Sequence, residues 1–191
     1  MTKFFISPGD PSGIGPEITL KALSKNKDIQ NNFVLAGDKT LYLDLIDKNN
    51  IDLNLIDESS KEKGVAFKHF PLQNQVSLGV PDLANANYII DILSYGALGC
   101  LKKEFKGLIT GPINKELINE SGFEFSGHTE FLADISNAKK VVMLLMNKKL
   151  KIALLTTHIP LSEVPSKISK KNLEETVSII SAEFKNTWKI K

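Results

Sequence analysis

The stretch that most constrains this chain is Gly107–Glu130, which reads GLITGPINKELINESGFEFSGHTE. A short apolar run is broken by a Gly-Pro pair, and a predicted helix starts near Lys115. A second polar loop then carries His128 and Thr129. A strand that leads into a polar loop, a helix and another polar loop is how α/β proteins build pockets. The stretch therefore predicts an α/β fold with a candidate pocket.

The preceding residues repeat this alternation of short apolar runs and helical patterns. Strands are predicted over Lys3–Ser7, Asn32–Gly37, Asp52–Ile56 and Val65–Phe70. Helices are predicted from Pro16, over Lys39–Lys48 with Asp38 as N-cap, and from Val80 to about Lys103. The last of these has an apolar stripe at Leu83, Ala86, Ile90, Leu93, Ala97 and Leu101. Gly96 and Gly99 within it indicate close approach of a neighbouring backbone, in this subunit or another.

The C-terminal part predicts a hairpin and a closing helix. The apolar runs Lys140–Met146 and Lys151–Thr156 flank a polar connection, which favours two antiparallel or adjacent strands. Ser169 is a candidate cap for the final helix. No boundary inside residues 1–191 is drawn from the sequence.

Composition excludes several classes of function. The 191 residues carry a net charge of +2 with 42% hydrophobic and 24% charged residues, so the charge does not indicate nucleic acid or an acidic membrane as a partner. A single cysteine, Cys100, excludes an internal disulfide and fits a reducing compartment. Neither a signal peptide nor a membrane span is recognisable. We expect a cytoplasmic protein.

The loop Gly9–Gly15 has two interpretations. Its glycines and the helix that follows could receive an anion, or the loop could be a tight strand-to-helix turn. The dinucleotide fingerprint is absent because Ile18 stands where the third glycine is needed. A Walker loop and a G-x-S-x-G elbow are also absent from the sequence.

Four residues are candidates for chemistry, and most of them have a structural alternative. His128 and Thr129 at a helix start could bind a substrate carboxylate, hydroxyl or phosphate, or could simply form a cap. His158 follows an apolar strand and is a candidate metal ligand, although one histidine does not define a metal site. Lys115 could pair with an anion or could be an exposed helix-start lysine. His69 is interpreted as a structural or surface residue.

Three segments carry a resemblance to a known family: SPGDPSGIGPEI at residues 7–18, LITGPINKELINESGFEFSGHTEFLA at 108–133 and ALLTTHIPLSEVP at 153–165. In this order and spacing the chain resembles the N-terminal part of the 4-hydroxythreonine-4-phosphate dehydrogenases of pyridoxal phosphate biosynthesis. The resemblance implies an isocitrate/isopropylmalate dehydrogenase-like α/β fold, with a mixed sheet flanked by helices and incomplete at the C-terminus. It also implies a homodimer.

The resemblance further implies an activity and a set of site residues. The family oxidises 4-phosphooxy-L-threonine with NAD or NADP, and the 3-oxo acid decarboxylates to 3-amino-2-oxopropyl phosphate. His128 and Thr129 match the family's substrate-binding pair, and His158 matches the first of three histidines that bind a divalent metal (Zn, Mg, Mn or Co). Lys115 matches a recurrent lysine to which we assign no role. The resemblance assigns no catalytic or NAD(P)-binding residue here.

The family's later segments have no counterpart in these 191 residues. They carry the other two metal-binding histidines and further substrate-binding residues. We therefore expect little or no dehydrogenase activity from this chain alone. Two alternatives stay open: a non-catalytic binding module that keeps the fold, and a dehydrogenase for another phosphorylated hydroxy acid.

Overall fold

The structure is a computed structural model that describes residues 2–60 and 62–189. The chain forms two compact units, Met1–Ala138 and Lys139–Lys191. Within the described residues, no helix combines the length and the apolar character needed to cross a lipid bilayer.

The first unit is built on a five-stranded parallel sheet. The strands are β1 (Lys3–Ser7), β2 (Phe33–Gly37), β3 (Leu55–Ile56), β4 (Val65–His69) and β5 (Phe105–Thr110). Their order in the sheet is β3-β4-β2-β1-β5, so the first strand lies next to the last. The strand at Lys3–Ser7 is confirmed, whereas the one predicted over Asp52–Ile56 is reduced to two residues.

Helices cover both faces of this sheet. They are α1 (Gly15–Lys25), α2 (Lys39–Lys48), α3 (Asn85–Leu101), α4 (Lys115–Glu120) and α5 (His128–Ser136). Successive side chains of a strand point to opposite faces. Phe5 accordingly joins the core that α3 covers, and Ile6 joins the core that α1 and α2 cover.

The expectation of a mixed sheet is wrong for the described residues. All strand pairs of the five-stranded sheet are parallel. Helices α1, α2 and α3 return the chain from β1 to β2, from β2 to β3 and from β4 to β5. The predicted hairpin is confirmed, but it forms a separate two-stranded antiparallel sheet in the second unit.

The second unit consists of that hairpin and two helices. Its elements are β6 (Leu144–Met146), β7 (Lys151–Ala153), α6 (Val164–Lys167) and α7 (Lys170–Asn186). The Asn147 side chain accepts hydrogen bonds from the backbone N–H groups of Lys149 and Leu150, which fixes the hairpin turn. The predicted cap of α7 is confirmed, since the Ser169 hydroxyl oxygen accepts from Asn172 N–H at 3.1 Å.

Helix α3 starts later than its apolar pattern predicts. Asp82 accepts hydrogen bonds from Ala84 N–H through its side chain and from Asn85 N–H through its carbonyl, so the residues before Asn85 form a turn. Leu83 and Leu101, two positions of the predicted stripe, are 49% and 51% exposed. Ala86, Leu93 and Ala97 of the stripe are buried as predicted, and Ile89 and Ile92 share the buried face with them.

Candidate functional site

The strand order points to one edge of the sheet as the place for a site. From β1 the chain turns to β2 on one side, and it later reaches β5 on the other side of β1. In open α/β sheets, ligands bind outside the carboxyl ends of the strands where the order reverses in this way. Here that position belongs to the loops of residues 8–14 and 111–114.

The two loops are packed against each other through their backbones. Gly111 N–H donates to the Ser7 carbonyl at 2.7 Å, and Asp10 N–H donates to the Pro112 carbonyl at 3.1 Å. A Cβ at Gly111 would overlap the carbonyl group of Pro8, so this contact requires glycine. The Gly9–Gly15 loop is thus a tight strand-to-helix turn, and anion binding at the helix that follows stays a prediction.

Helix α4 carries Lys115 out of the second loop. The Asn114 side chain accepts hydrogen bonds from Glu116 N–H at 3.0 Å and from Leu117 N–H at 3.2 Å, which caps the helix. Lys115 is the first residue of the helix and is exposed. Leu117 and Ile118 anchor α4 in the core beneath α3.

His128 opens α5, as the sequence predicts. Its ring is half-buried and meets the ring of Phe125 edge-on, with the ring centroids 6.0 Å apart and the planes at 82°. Burial lowers the pKa of His128 below its ordinary value of 6.5, because desolvation disfavours the charged imidazolium. The ring is therefore neutral near pH 7 and has one nitrogen that donates and one that accepts.

Thr129 is the next residue of α5 and is exposed. The helix begins without a side-chain N-cap, since Gly127 occupies that position. The first N–H groups of an α-helix have no partner inside the helix and favour an anion or a polar acceptor. The imidazole, the hydroxyl and these N–H groups are neighbours along the chain at the start of α5, and each can hydrogen-bond a polar ligand.

His158 lies in the second unit and is exposed. The sequence predicts it at the end of a strand, but β7 ends at Ala153 and His158 follows five residues later. Its backbone is left-handed, with φ of 54°, a conformation that costs energy in residues other than glycine. His128 and His158 therefore belong to different units.

The described residues supply one candidate metal donor of the predicted kind. A neutral imidazole is a suitable ligand for zinc and related divalent ions. Nowhere in residues 2–60 and 62–189 do three or more histidine, cysteine, aspartate or glutamate side chains gather as metal ligands do. His158 alone fits a metal ligand but does not make a metal site, so we derive no step through a metal.

His69 has the structural role that the sequence favours. It is the last residue of β4, and its Nδ1 accepts a hydrogen bond from Lys39 N–H at 3.1 Å. The Asp38 side chain accepts from the next two N–H groups of α2. The ring therefore helps to satisfy the start of α2, a common structural use of a polar side chain.

Two residues beside His128 are not identified by the sequence. Asn119 of α4 bonds both backbone groups of Phe125, and Phe125 is 2% exposed. Gly122, with φ of 96°, makes the turn that brings the chain back to Asn119. The glycine after a helical pattern is the one signal in the sequence that marks this return.

Comparisons with known proteins identify the family. The sequence profile described as pyridoxal phosphate biosynthetic protein PdxA matches residues 28–191. A 4-hydroxythreonine-4-phosphate dehydrogenase of Vibrio parahaemolyticus is 37% identical over 185 residues, covering 93% of this chain and 55% of that protein. A Yersinia pestis protein of the same name is 32% identical over 195 residues, covering 98% of this chain and 58% of its own.

Solved structures agree with the fold. A chain from Salmonella typhimurium has 27% identity and a TM-score of 0.85, covering 97% of this chain and 60% of its own. A terephthalate 1,2-cis-dihydrodiol dehydrogenase from Burkholderia xenovorans shares the fold at a TM-score of 0.68 and 22% identity, covering 93% of this chain and 55% of its own. The chain spans somewhat more than half the length of the curated relatives it matches. The resemblance seen in the sequence is confirmed, and the chain belongs to the pyridoxal phosphate biosynthetic protein PdxA family.

Proposed function

We propose that this chain forms part of an NAD(P)-dependent, divalent-metal-dependent dehydrogenase that acts on 4-phosphooxy-L-threonine. The 3-hydroxyl is oxidised, and the 3-oxo acid decarboxylates to 3-amino-2-oxopropyl phosphate in vitamin B6 biosynthesis. The observation that carries the proposal is the neutral, half-buried ring of His128 at the open start of α5, beside Thr129. The enzyme name of the relatives supports it.

In this proposal His128 and Thr129 bind and orient the substrate. A neutral imidazole can donate to one polar group of the substrate and accept from another, and the threonine hydroxyl can do the same. The unpaired N–H groups of the first turn of α5 add donors for an anionic group. Fixing the substrate in one orientation favours reaction because the entropy of alignment is lost on binding, before the chemical step.

This chain supplies fewer candidate residues for the nicotinamide and the metal than for the substrate. When bound, the nicotinamide accepts a hydride, and we assign no residue here to it. We propose His158 as one ligand of the divalent metal, on the chemistry of its imidazole. A homodimer is part of the same proposal and rests on the resemblance alone, while a cytoplasmic location is proposed from the single cysteine, Cys100.

Substrate binding tests the proposal directly. We expect isothermal titration calorimetry to detect binding of 4-phosphooxy-L-threonine to the 191-residue protein, and His128→Ala or Thr129→Val to weaken it about fivefold or more. Ser136→Ala is the matched control, since this hydroxyl bonds Leu132 and Ala133 carbonyls at the far end of α5. Equal affinities for the His128→Ala variant and the unaltered protein would contradict the proposed site, as would no binding at all.

A dehydrogenase for another hydroxy acid is the second candidate. The fold is shared with a dehydrogenase named for a dihydrodiol, which is a different class of substrate. Affinities for a panel of phosphorylated and unphosphorylated hydroxy acids separate the two candidates.

A further inference from the structure

The two residues that the sequence did not identify, Asn119 and Phe125, form a chain of contacts that ends at His128. Asn119 Nδ2 donates to the Phe125 carbonyl at 3.1 Å, and Phe125 N–H donates to Asn119 Oδ1 at 2.7 Å. One carboxamide therefore satisfies both backbone groups of one residue. Such a pair of hydrogen bonds fixes both the position and the orientation of the Phe125 backbone, whereas a single hydrogen bond would leave it free to rotate.

Phe125 transmits this constraint to His128. Its ring is buried in the core with Leu117 and Ile118, and its centroid lies 5.4 Å from that of Phe131. The edge-on contact with His128 is one of the arrangements that aromatic rings favour. Only two residues separate Phe125 from His128, and Gly127 is extended, so a shift of Phe125 moves the start of α5.

We propose that Asn119 is a positioning residue: it holds Phe125, and Phe125 sets the orientation and the burial of the His128 ring. The significance for substrate binding rests on the proposed function. The role of Asn119 in orienting the His128 ring does not rest on the proposed function, since it concerns only contacts inside the first unit.

Asn119→Leu removes both hydrogen bonds with little change in side-chain size. We expect the His128 ring to become more exposed, so its pKa rises toward the ordinary histidine value and its nuclear Overhauser effects to Phe125 weaken. These are read by nuclear magnetic resonance on the 191-residue protein, with His69→Gln and His158→Gln used to assign the ring signals. Affinity for 4-phosphooxy-L-threonine falls about five- to tenfold.

Ser121→Ala is the matched control in the same turn. The Ser121 hydroxyl donates to the Ile118 carbonyl at 2.7 Å, so this variant also loses a side-chain hydrogen bond to the backbone but keeps the contacts to Phe125. We expect the His128 titration to be unchanged in it. A folded Asn119→Leu variant that titrates like the unaltered protein and keeps the Phe125–His128 effects would overturn the proposal.

Asn119→Asp keeps the test decisive if the leucine variant does not fold. A carboxylate still accepts from Phe125 N–H but can no longer donate to the Phe125 carbonyl. We expect a smaller displacement of the His128 ring in the same direction, and an unchanged ring would overturn the proposal. If the unaltered chain binds no substrate, the proposed function fails, while the ring measurements still decide the role of Asn119.

Discussion

Gly96 of α3 lies directly against the ring of Phe5 on β1. A Cβ at this position would be 2.5 Å from Phe5 Cδ1 and 2.7 Å from Leu108 Cδ1, well inside normal contact distance. The missing side chain lets the helix approach β1 and its neighbour, the edge strand β5. The sequence predicts close approach of a neighbouring backbone here, whereas the structure places side chains of the same chain against Gly96.

Gly96→Ala is therefore expected to destabilise the first unit by about 1–3 kcal/mol, the usual cost of overpacking a core. Urea unfolding followed by circular dichroism measures the change. Gly13→Ala is the control, because a Cβ there meets only ordinary contacts with Asp10 at 3.4 Å and beyond. A Gly96→Ala variant as stable as the control would show that the sheet and α3 can separate without cost.

Asp38 holds two segments together at the start of α2. Its side chain accepts hydrogen bonds from Thr40 N–H, Leu41 N–H and, from the chain beyond β4, Leu72 N–H. We expect Asp38→Ala to lower the free energy of unfolding by about 2 kcal/mol, at the upper end for loss of an N-cap. Asp44→Ala removes only an exposed ion pair with Lys48, and we expect less than about 1 kcal/mol. Similar values for the two variants would refute this role of Asp38.

The lowered pKa of His128 predicts a pH dependence of stability. The unfolded chain binds a proton at this ring below about pH 6.5, before the folded chain does. The contribution is therefore present above that pH and is lost as pH falls through the folded pKa. We expect His128→Gln to reduce the loss of thermal stability between about pH 8 and about pH 5. An identical pH profile in the variant and the unaltered protein would contradict the burial of the ring.

The left-handed backbone of His158 predicts an order of stability among substitutions. Alanine pays the same steric cost as histidine at positive φ, whereas glycine pays almost none. We expect His158→Gly to be more stable than His158→Ala by about 1 kcal/mol. Trp188, the single tryptophan of the chain, lies in the same unit and reports its unfolding by fluorescence. A more stable alanine variant would exclude the left-handed conformation.

Elements with signals in their own residues were predictable. Helix α2 has the predicted bounds Lys39–Lys48 because its N-cap and its apolar spacing are local. The start of α3 was not predictable, because the residues that the apolar pattern assigned to the helix form a turn at Asp82. The formation of a separate sheet by the hairpin was also not predictable, because a two-residue period does not identify a partner strand.

The same division holds at the candidate site. His128 and Thr129 were predicted at a helix start, and α5 begins there, because a polar loop before an apolar run is a local signal. The contact between His128 and Phe125 depends on how α4 and the following loop return on themselves. Such a return is decided by packing in the core, which no short segment of sequence encodes.

The position of β1 has a consequence for the order of events in folding. Ser7, at the end of the first strand, pairs with Thr110 at the end of the fifth, so this pair of strands at one side of the sheet joins the two ends of a long stretch of chain. Parallel pairings between distant residues form slowly because the loop between them must close first. During synthesis, β1 can pair with β2 and pack against α1 as soon as these elements have emerged. It can pair with β5 only much later, when residues 105–110 have been made. We expect the β1–β5 pairing to form late and to limit the folding rate of the first unit.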